Sequence, residues 1–169
     1  ELVLNDDGTL FGTASQSLET GGAGTVFQVT TSGSAFGVLH FFNTSGNDGI
    51  YPCGGLVRDS GGNLFGATAQ GGSSGAGAVY RITPGGAAYS ILHSFSPSGG
   101  DPRYPRGQLV QDQNGVIYGV TSVGGTNGCG TLFRLNPNGS GYSILRTYSG
   151  SDGRNPRALM LSPDGLLYG

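Results

Sequence analysis

The chain contains 169 residues, of which 35 are glycine, 8 are proline and only 11% are charged. All 8 basic residues are arginine, and a net charge of -2 without any basic stripe excludes a general role in binding nucleic acid. No apolar run approaches the roughly twenty residues that a membrane-spanning helix needs, so we expect no membrane insertion of this segment.

One unit of about 53 residues recurs along the whole chain. The segment at residues 2–12 returns at residues 56–66, 109–119 and 159–169. This period is typical of propeller blades. We therefore predict a single repeat domain over residues 1–169. Its repeats lie at approximately 2–55, 56–108 and 109–158, with a partial repeat at 159–169.

Each unit carries four short apolar segments. In the second unit they lie, in chain order, at residues 56–59, 63–68, 78–82 and 89–95. They are rich in β-branched and aromatic residues and are bounded by Gly, Pro, Asn or Asp, which is typical of strands joined by tight turns. The pattern predicts a four-stranded antiparallel meander and no helix.

The third segment of each unit has apolar residues on both of its faces. Tyr80 and Ile82 lie on one face, and Val79 lies on the other. A sheet with two apolar faces needs a neighbour on each side, so we predict an all-β, β-propeller-type stack of three full blades and a half blade. A ring closes with roughly four to eight blades, so we expect either further repeats or partner chains to complete the assembly.

Three segments of the unit keep their order along the chain: Gly71-Gly72 through Ile82, Ile91 through Phe95, and Leu109 through Gly119. In these segments the sequence resembles the GloVer tandem repeats of bacterial surface proteins, and the match covers the whole chain. The resemblance implies secretion, many tandem copies and attachment to a cell envelope. It supplies no reaction that could be assigned to a residue.

The two cysteines depart from the repeat at unrelated positions. Cys53 stands where Arg106 and Arg157 stand, and Cys129 stands where alanine stands in the earlier units. If the first strand is innermost, the loops that carry Cys53 and Cys129 emerge at the same end of the propeller, in adjacent blades. The sequence is therefore compatible with a disulfide between them and with two free thiols. Two cysteines spaced this far apart do not predict a metal site.

His40 and His93 share one repeat position, which Arg146 takes in the third unit. Each lies between aliphatic and aromatic residues, which favours packing over catalysis or metal binding. Asp6, Asp59, Asp112 and Asp164 lie in turns that offer only one or two oxygens each. We expect them to cap turns rather than bind calcium.

The long connections between blades, at residues 43–55, 96–108 and 149–158, carry Asp48, Asp101 and Asp152 in register. They predict either a polar binding face for carbohydrate or protein, or an Asp-Arg network that stiffens the loops. The residues of this candidate face are Tyr51, Arg103, Tyr104, Arg106, Arg154 and Arg157. Asn43 and Asn138 head glycosylation sequons.

These observations predict a non-enzymatic extracellular or cell-surface repeat protein without cofactors. It would act as a structural scaffold or an adhesive binding module, with other copies of itself, further repeats, carbohydrate or surface proteins as partners. Exposed strand edges invite pairing, so it could assemble into a larger propeller or a filament. The alternative is a propeller hydrolase or lyase with a site at the channel mouth.

Overall fold

The structure is a computed structural model that describes residues 1–17, 20–98 and 101–169. Helix within those residues is confined to two single 3-10 turns, Thr20–Gly22 and Pro84–Gly86. The first two sheets are formed by β1 (Val3–Leu4), β2 (Thr9–Ala14), β3 (Thr25–Thr30), β4 (Phe36–Phe41), β5 (Gly49–Arg58), β6 (Leu64–Gly71), β7 (Ala78–Ile82) and β8 (Tyr89–Ser94). The remaining strands are β9 (Arg103–Gln111), β10 (Ile117–Val123), β11 (Thr131–Leu135), β12 (Ser143–Thr147), β13 (Met160–Leu161) and β14 (Leu167–Tyr168).

The strands form antiparallel meanders in chain order, and we call each sheet a blade. Blade one is β1-β2-β3-β4, blade two is β5-β6-β7-β8, blade three is β9-β10-β11-β12, and β13-β14 is a half blade. The inner strands pack on the next blade, β5 against β9 and both β1 and β2 against β5, whereas β4, β8 and β12 lie at the opposite edge of their sheets. The predicted propeller architecture, with the first strand innermost, is therefore confirmed.

The hydrophobic core lies between blades. One cluster joins Val26 and Phe42 of blade one to Leu56 and Tyr80 of blade two. A second cluster joins blade two to blade three through Phe65, Val79, Phe95, Leu109 and Phe133. We call the blade surface that faces the preceding blade its leading face, the opposite surface its trailing face, and each contact between blades a seam.

The inner strands are longer than the sequence predicted. Residues 49–55 belong to β5, and residues 103–108 belong to β9, although both were expected in connections. The pairing of β5 with β6 shifts register between Cys53 and Val57, so the strand continues through a bulge. Tyr51, Arg103, Tyr104 and Arg106 therefore lie on strands rather than in loops.

Each outer strand also contains a bulge at the same repeat position. Val26 pairs with His40 and Phe27 with Val38, which leaves Leu39 as the extra residue. Leu92 and Leu145 occupy the corresponding places in the next two blades. Among the described residues, no helix has the length and apolar character to cross a bilayer.

Candidate functional site

The start of each inner strand contacts the loop between strands two and three of the preceding blade. We call this end of the propeller the loop end. The backbone N–H of Tyr51 donates to the Ala23 carbonyl at 2.9 Å, and the N–H of Tyr104 donates to the Ala76 carbonyl at 2.8 Å. The N–H of Asn155 donates to the Cys129 carbonyl at 2.9 Å. The same hydrogen bond thus recurs at three successive seams.

The residue that donates this bond has an unusual backbone conformation in every copy. Tyr51, Tyr104 and Asn155 have φ values of 59°, 55° and 53°. This left-handed region is costly for a side chain as large as tyrosine, so the surrounding structure must hold it. The following proline lies against a glycine of the preceding loop: a Cβ on Gly77 would stand 2.5 Å from Cδ of Pro105.

The six residues of the candidate binding face all lie toward the loop end, on or just before the inner strands. Arg106, Arg154 and Arg157 are exposed, and Arg103 is half-buried, with its Nη1 donating to the Pro97 carbonyl at 3.4 Å. The ion pairs among the described residues are His40–Asp48 and Arg146–Asp152. These arginines therefore do not form the Asp-Arg network that was the competing interpretation.

Tyr51 lines a shallow groove of about 410 Å³ together with Gln16, Ser17, Gly21 and Gly22. The groove joins an aromatic ring to amide and backbone groups, a combination that suits a polar ligand such as a sugar. The opposite end of the propeller, which we call the turn end, carries the aspartates of the strand-one to strand-two turns. The basic residues of the candidate face and these aspartates therefore lie at opposite ends.

A histidine, an aspartate and a tyrosine meet at the seam between blades one and two. The ring of His40 stacks on Tyr89, with centroids 3.8 Å apart and an interplanar angle of 9°. His40 Nε2 lies 3.2 Å from Asp48 Oδ2. Burial raises the pKa of Asp48, but the hydrogen bonds from His40 and from the Asn43 N–H outweigh it and leave the pKa below its ordinary value.

The next seam repeats this arrangement in a more open form. His93 stacks on Tyr142 at 3.7 Å and 13°, and both line a cavity of about 110 Å³ that also contains Asp101. Burial raises the pKa of Tyr142 to about 12, with the Asp101 charge adding to the effect. In the third unit Arg146 replaces the histidine and pairs with Asp152, so the exchange preserves a contact with the aspartate.

We predict that His93 makes stability depend on pH. Burial lowers the pKa of His93 below its ordinary 6.5, and the Asp101 charge only partly opposes this. The folded state therefore favours the neutral ring. The contribution of His93 to the free energy of unfolding is fully present above about pH 6.5 and is lost as the pH falls below that value. The decrease from pH ~7.5 to ~5.5, measured by urea denaturation, should be smaller in His93→Gln. An unchanged slope would contradict this assignment.

A model of the Gloeobacter/Verrucomicrobia repeat matches residues 1–169. The chain belongs to this family. The GloVer resemblance inferred from the sequence is thereby confirmed over the whole chain. A search of curated proteins gave no match.

Solved structures show the same fold for this GloVer chain. A chain of the nidogen/laminin complex aligns with a TM-score of 0.63 and 19% identity, covering 92% of this chain and 49% of that one. A protein of unknown function from Dyadobacter fermentans aligns with a TM-score of 0.57 and 13% identity, covering 98% of this chain and 54% of that one. The chain spans about half the length of these structures.

The two cysteines of the GloVer chain are free thiols, so the disulfide that the sequence left open is not formed. Cys53 Sγ donates to the Pro105 carbonyl at 3.1 Å, and Pro105 lies on β9 of blade three. The Cys129 loop instead contacts Asn155, in the connection that leads to the half blade. The two positions thus belong to different seams, although they lie at the same end of adjacent blades.

We predict that the two thiols differ in reactivity. Burial raises the pKa of Cys53 to about 12, which suppresses the reactive thiolate, and the nearby Arg106 charge offsets this only in part. Ellman's reagent should label Cys129 at least ~10-fold faster than Cys53 in the folded protein. Cys129→Ser and Cys53→Ser, each leaving one thiol, would assign the rates, and equal rates would contradict the prediction.

The aspartates at the turn end of the GloVer blades cap their turns. Asp59 accepts from the Asn63 N–H at 2.8 Å, and Asp112 accepts from the Val116 N–H at 2.9 Å. Asp164 accepts from the Leu166 N–H at 3.3 Å. In blade one the turn carbonyl belongs to Asn5, which accepts from the Gly8 N–H. The side chain that accepts from the Thr9 N–H there is Asp7, rather than the predicted Asp6. No group of three or more potential metal ligands occurs within the described ranges.

Both sequon asparagines lie in exposed turns. The side-chain oxygen of Asn43 accepts from the Ser45 N–H at 2.9 Å, and that of Asn138 accepts from the Ser140 N–H at 3.0 Å. Glycosylation at these residues stays a prediction.

The contact of His40 with Asp48 and Tyr89 was not predicted from the sequence. All three positions recur at the repeat period, and that signal could have grouped them.

Proposed function

We propose that this protein is a non-enzymatic extracellular or cell-surface scaffold whose loop end binds acidic carbohydrate. The repeat family and the propeller fold support a structural or binding module. The observation that carries the ligand proposal is the exposed set Arg106, Arg154 and Arg157, for which no ion pair is recorded. Unpaired guanidinium groups suit carboxylate or sulfate groups because they donate paired hydrogen bonds.

The rigidity of the loop end supports the same proposal. Successive inner strands are fixed to the preceding blade by the hydrogen bonds of Tyr51, Tyr104 and Asn155. On such a frame the backbone is already ordered, so ligand binding has to order only the side chains. The groove beside Tyr51 adds an aromatic surface on which a sugar ring can pack. An extended polymer could therefore contact several blades at once.

Binding to a glycan array, followed by titration with the best acidic oligosaccharide, tests the proposal. We expect the double variant Arg106→Ala/Arg157→Ala to bind at least ~10-fold more weakly, since each removes a charged contact. Arg58→Ala, at the turn end, is the matched control and should bind like the parent protein. Equal loss in the control, or binding only to neutral glycans, would contradict the proposed face.

Failure to bind any glycan, with the fold intact, would leave the scaffold role and remove the adhesive one. In that case, binding to an acidic surface protein would point to protein recognition by the same arginines. Localisation can be tested separately by antibody labelling of intact cells. Labelling only after the cells are permeabilised would contradict the extracellular assignment.

A further inference from the structure

Two tyrosines at the loop end adopt a backbone conformation that their side chains disfavour. Tyr51 and Tyr104 have φ values of 59° and 55°, and Asn155 has the same conformation with 53°. Asparagine tolerates this left-handed region better than tyrosine does, because its short side chain can bond to the nearby backbone. Asn155 also donates the same backbone hydrogen bond, so that bond does not require an aromatic residue. The tyrosine rings therefore need a separate explanation.

Packing inside the protein does not supply that explanation. Among the described residues, the rings of Tyr51 and Tyr104 contact no other aromatic ring, and their hydroxyls make no hydrogen bond. Tyr80, Tyr89 and Tyr142, by contrast, pack their rings in the seams. Tyr104 is 36% exposed, and Tyr51 lines the groove at its seam. A strained residue whose ring lies outside the core is a candidate for ligand binding, because such strain persists mainly where function needs it.

The residue two places after this position differs among the seams. We number the seams in chain order, with the third between blade three and the half blade. The residue is Cys53 after Tyr51, Arg106 after Tyr104 and Arg157 after Asn155. Arg106 and Tyr104 are both exposed, and the proline between them is buried. At these positions the first seam therefore presents a ring without a cation, the second a ring with a cation, and the third a cation without a ring.

An amide side chain accompanies each of the two rings. Gln16 lines the groove together with Tyr51, and Gln70, at the same repeat position of blade two, is exposed. Val123 takes this position in blade three, so the third seam lacks both the ring and the amide. A sugar has an apolar face of C–H groups and a rim of hydroxyls. A tyrosine ring suits the face, and an amide can donate to and accept from the rim.

We propose, resting on the glycan-binding function above, that the loop end recognises an acidic heteropolysaccharide that contains both neutral and acidic sugars. Tyr51 packs on the face of a neutral sugar. Tyr104 packs on an acidic sugar whose carboxylate or sulfate pairs with Arg106, and Arg157 binds a further acidic group. The two rings select sugars from among polyanions, and the arginines select acidic sugars from among glycans. Contacts at three seams reinforce one another on one polymer.

Tyr104→Asn tests the role of the ring, because it places the residue of the third seam in the same conformation. The probe is an octasaccharide of alternating glucuronic acid and N-acetylglucosamine, and polyglutamate is the polyanion without sugar rings. Tyr104→Asn should bind the octasaccharide at least ~5-fold more weakly than the parent protein and polyglutamate equally well. Tyr104→Phe, which keeps the ring, should bind the octasaccharide at least ~5-fold more tightly than Tyr104→Asn. Arg106→Ala should weaken the binding of both probes.

The stability of Tyr104→Asn separates a binding role from a structural one. Because asparagine relieves the backbone strain, this variant should unfold at the same urea concentration as the parent protein or at a higher one. Tyr168→Asn is the matched control, since it makes the same change at a tyrosine of the half blade that is 50% exposed. It should bind the octasaccharide like the parent protein.

Three results would overturn the assignment of the rings. They are a Tyr104→Asn variant that is less stable than the parent protein, octasaccharide binding that this variant leaves unchanged, and an equal loss of binding to both probes. A parent protein that binds other acidic glycans but not the octasaccharide would contradict the mixed polymer and leave the acidic binding face in place. A parent protein that binds no acidic glycan would contradict the proposed function as well, so the two failures are distinguishable.

Discussion

Gly107→Ala is expected to lower the free energy of unfolding by at least ~3 kcal/mol. Gly107 lies on inner strand β9 with φ +68°, and a Cβ there would overlap the backbone carbonyl of Arg157, in the connection that leads to the half blade. The preceding inner strand makes the same approach, with Gly54 against the backbone of Gly107. Neither backbone can move away without disturbing the next seam. Urea denaturation followed by circular dichroism measures the effect.

The chain offers a closely matched control for this substitution. Gly85 has the same φ of +68°, but a Cβ there would meet nothing within 4 Å. Gly85→Ala therefore reports the backbone cost alone, about 1 kcal/mol. The difference between the two variants isolates the overlap at the inner strands. If the two variants lose equal stability, the close approach of the inner strands is not what makes glycine necessary at residue 107.

Phe95→Ala should destabilise the protein by about 3–5 kcal/mol. Phe95 is fully buried in the seam between blades two and three, where its ring makes an edge contact with Phe133 at a centroid distance of 5.2 Å. It also packs edge-on against His93 at 4.8 Å. Truncation leaves a cavity that faces two blades, so neither blade alone can close it. The free energy of unfolding in urea gives the value.

Phe41→Ala is the corresponding control, because Phe41 is an exposed phenylalanine at the end of an outer strand. It should cost less than about 1 kcal/mol. Similar losses for the two variants would show that the seam is not the main source of stability.

The repeat made most of the fold predictable. Four apolar segments per unit, separated by glycine turns, correspond to the strands of each blade. Apolar residues on both faces of the third segment, such as Val79 and Tyr80, predicted a neighbour on each side, and the structure buries both residues in different seams. An alternation with a period of two residues indicates which face of the sheet each residue occupies. The same alternation appears at the same positions of every unit, which strengthens the prediction.

The beginning of the inner strand could not be predicted in the same way. Gly and Pro make up four of the seven residues at 49–55, and both are typical of connections. Their extended pairing depends on the preceding blade, which accepts the N–H of Tyr51 and packs against Pro52. Local propensity contains no information about that neighbour. For the same reason the sequence placed Arg103 and Arg106 in a loop, whereas Arg154 and Arg157 do lie in a connection.

The cysteine pairing stayed open at the sequence level because blade order alone does not say which loop touches which strand. Each loop contacts the inner strand of the following blade, so the natural neighbour of the Cys53 strand is the loop of Ala23. Cys129 lies two seams further on. The histidine contact was missed for a related reason, since His40 and Tyr89 lie in consecutive units and meet only when blades stack.

Placing the apolar core between blades also determines how the molecule would respond to mechanical load. Blade two is held by apolar clusters on both of its faces, one shared with blade one and the other with blade three. Force applied along the chain would therefore have to expose two clusters before blade two is released. Neighbouring blades would share the load, so blade two would not yield alone.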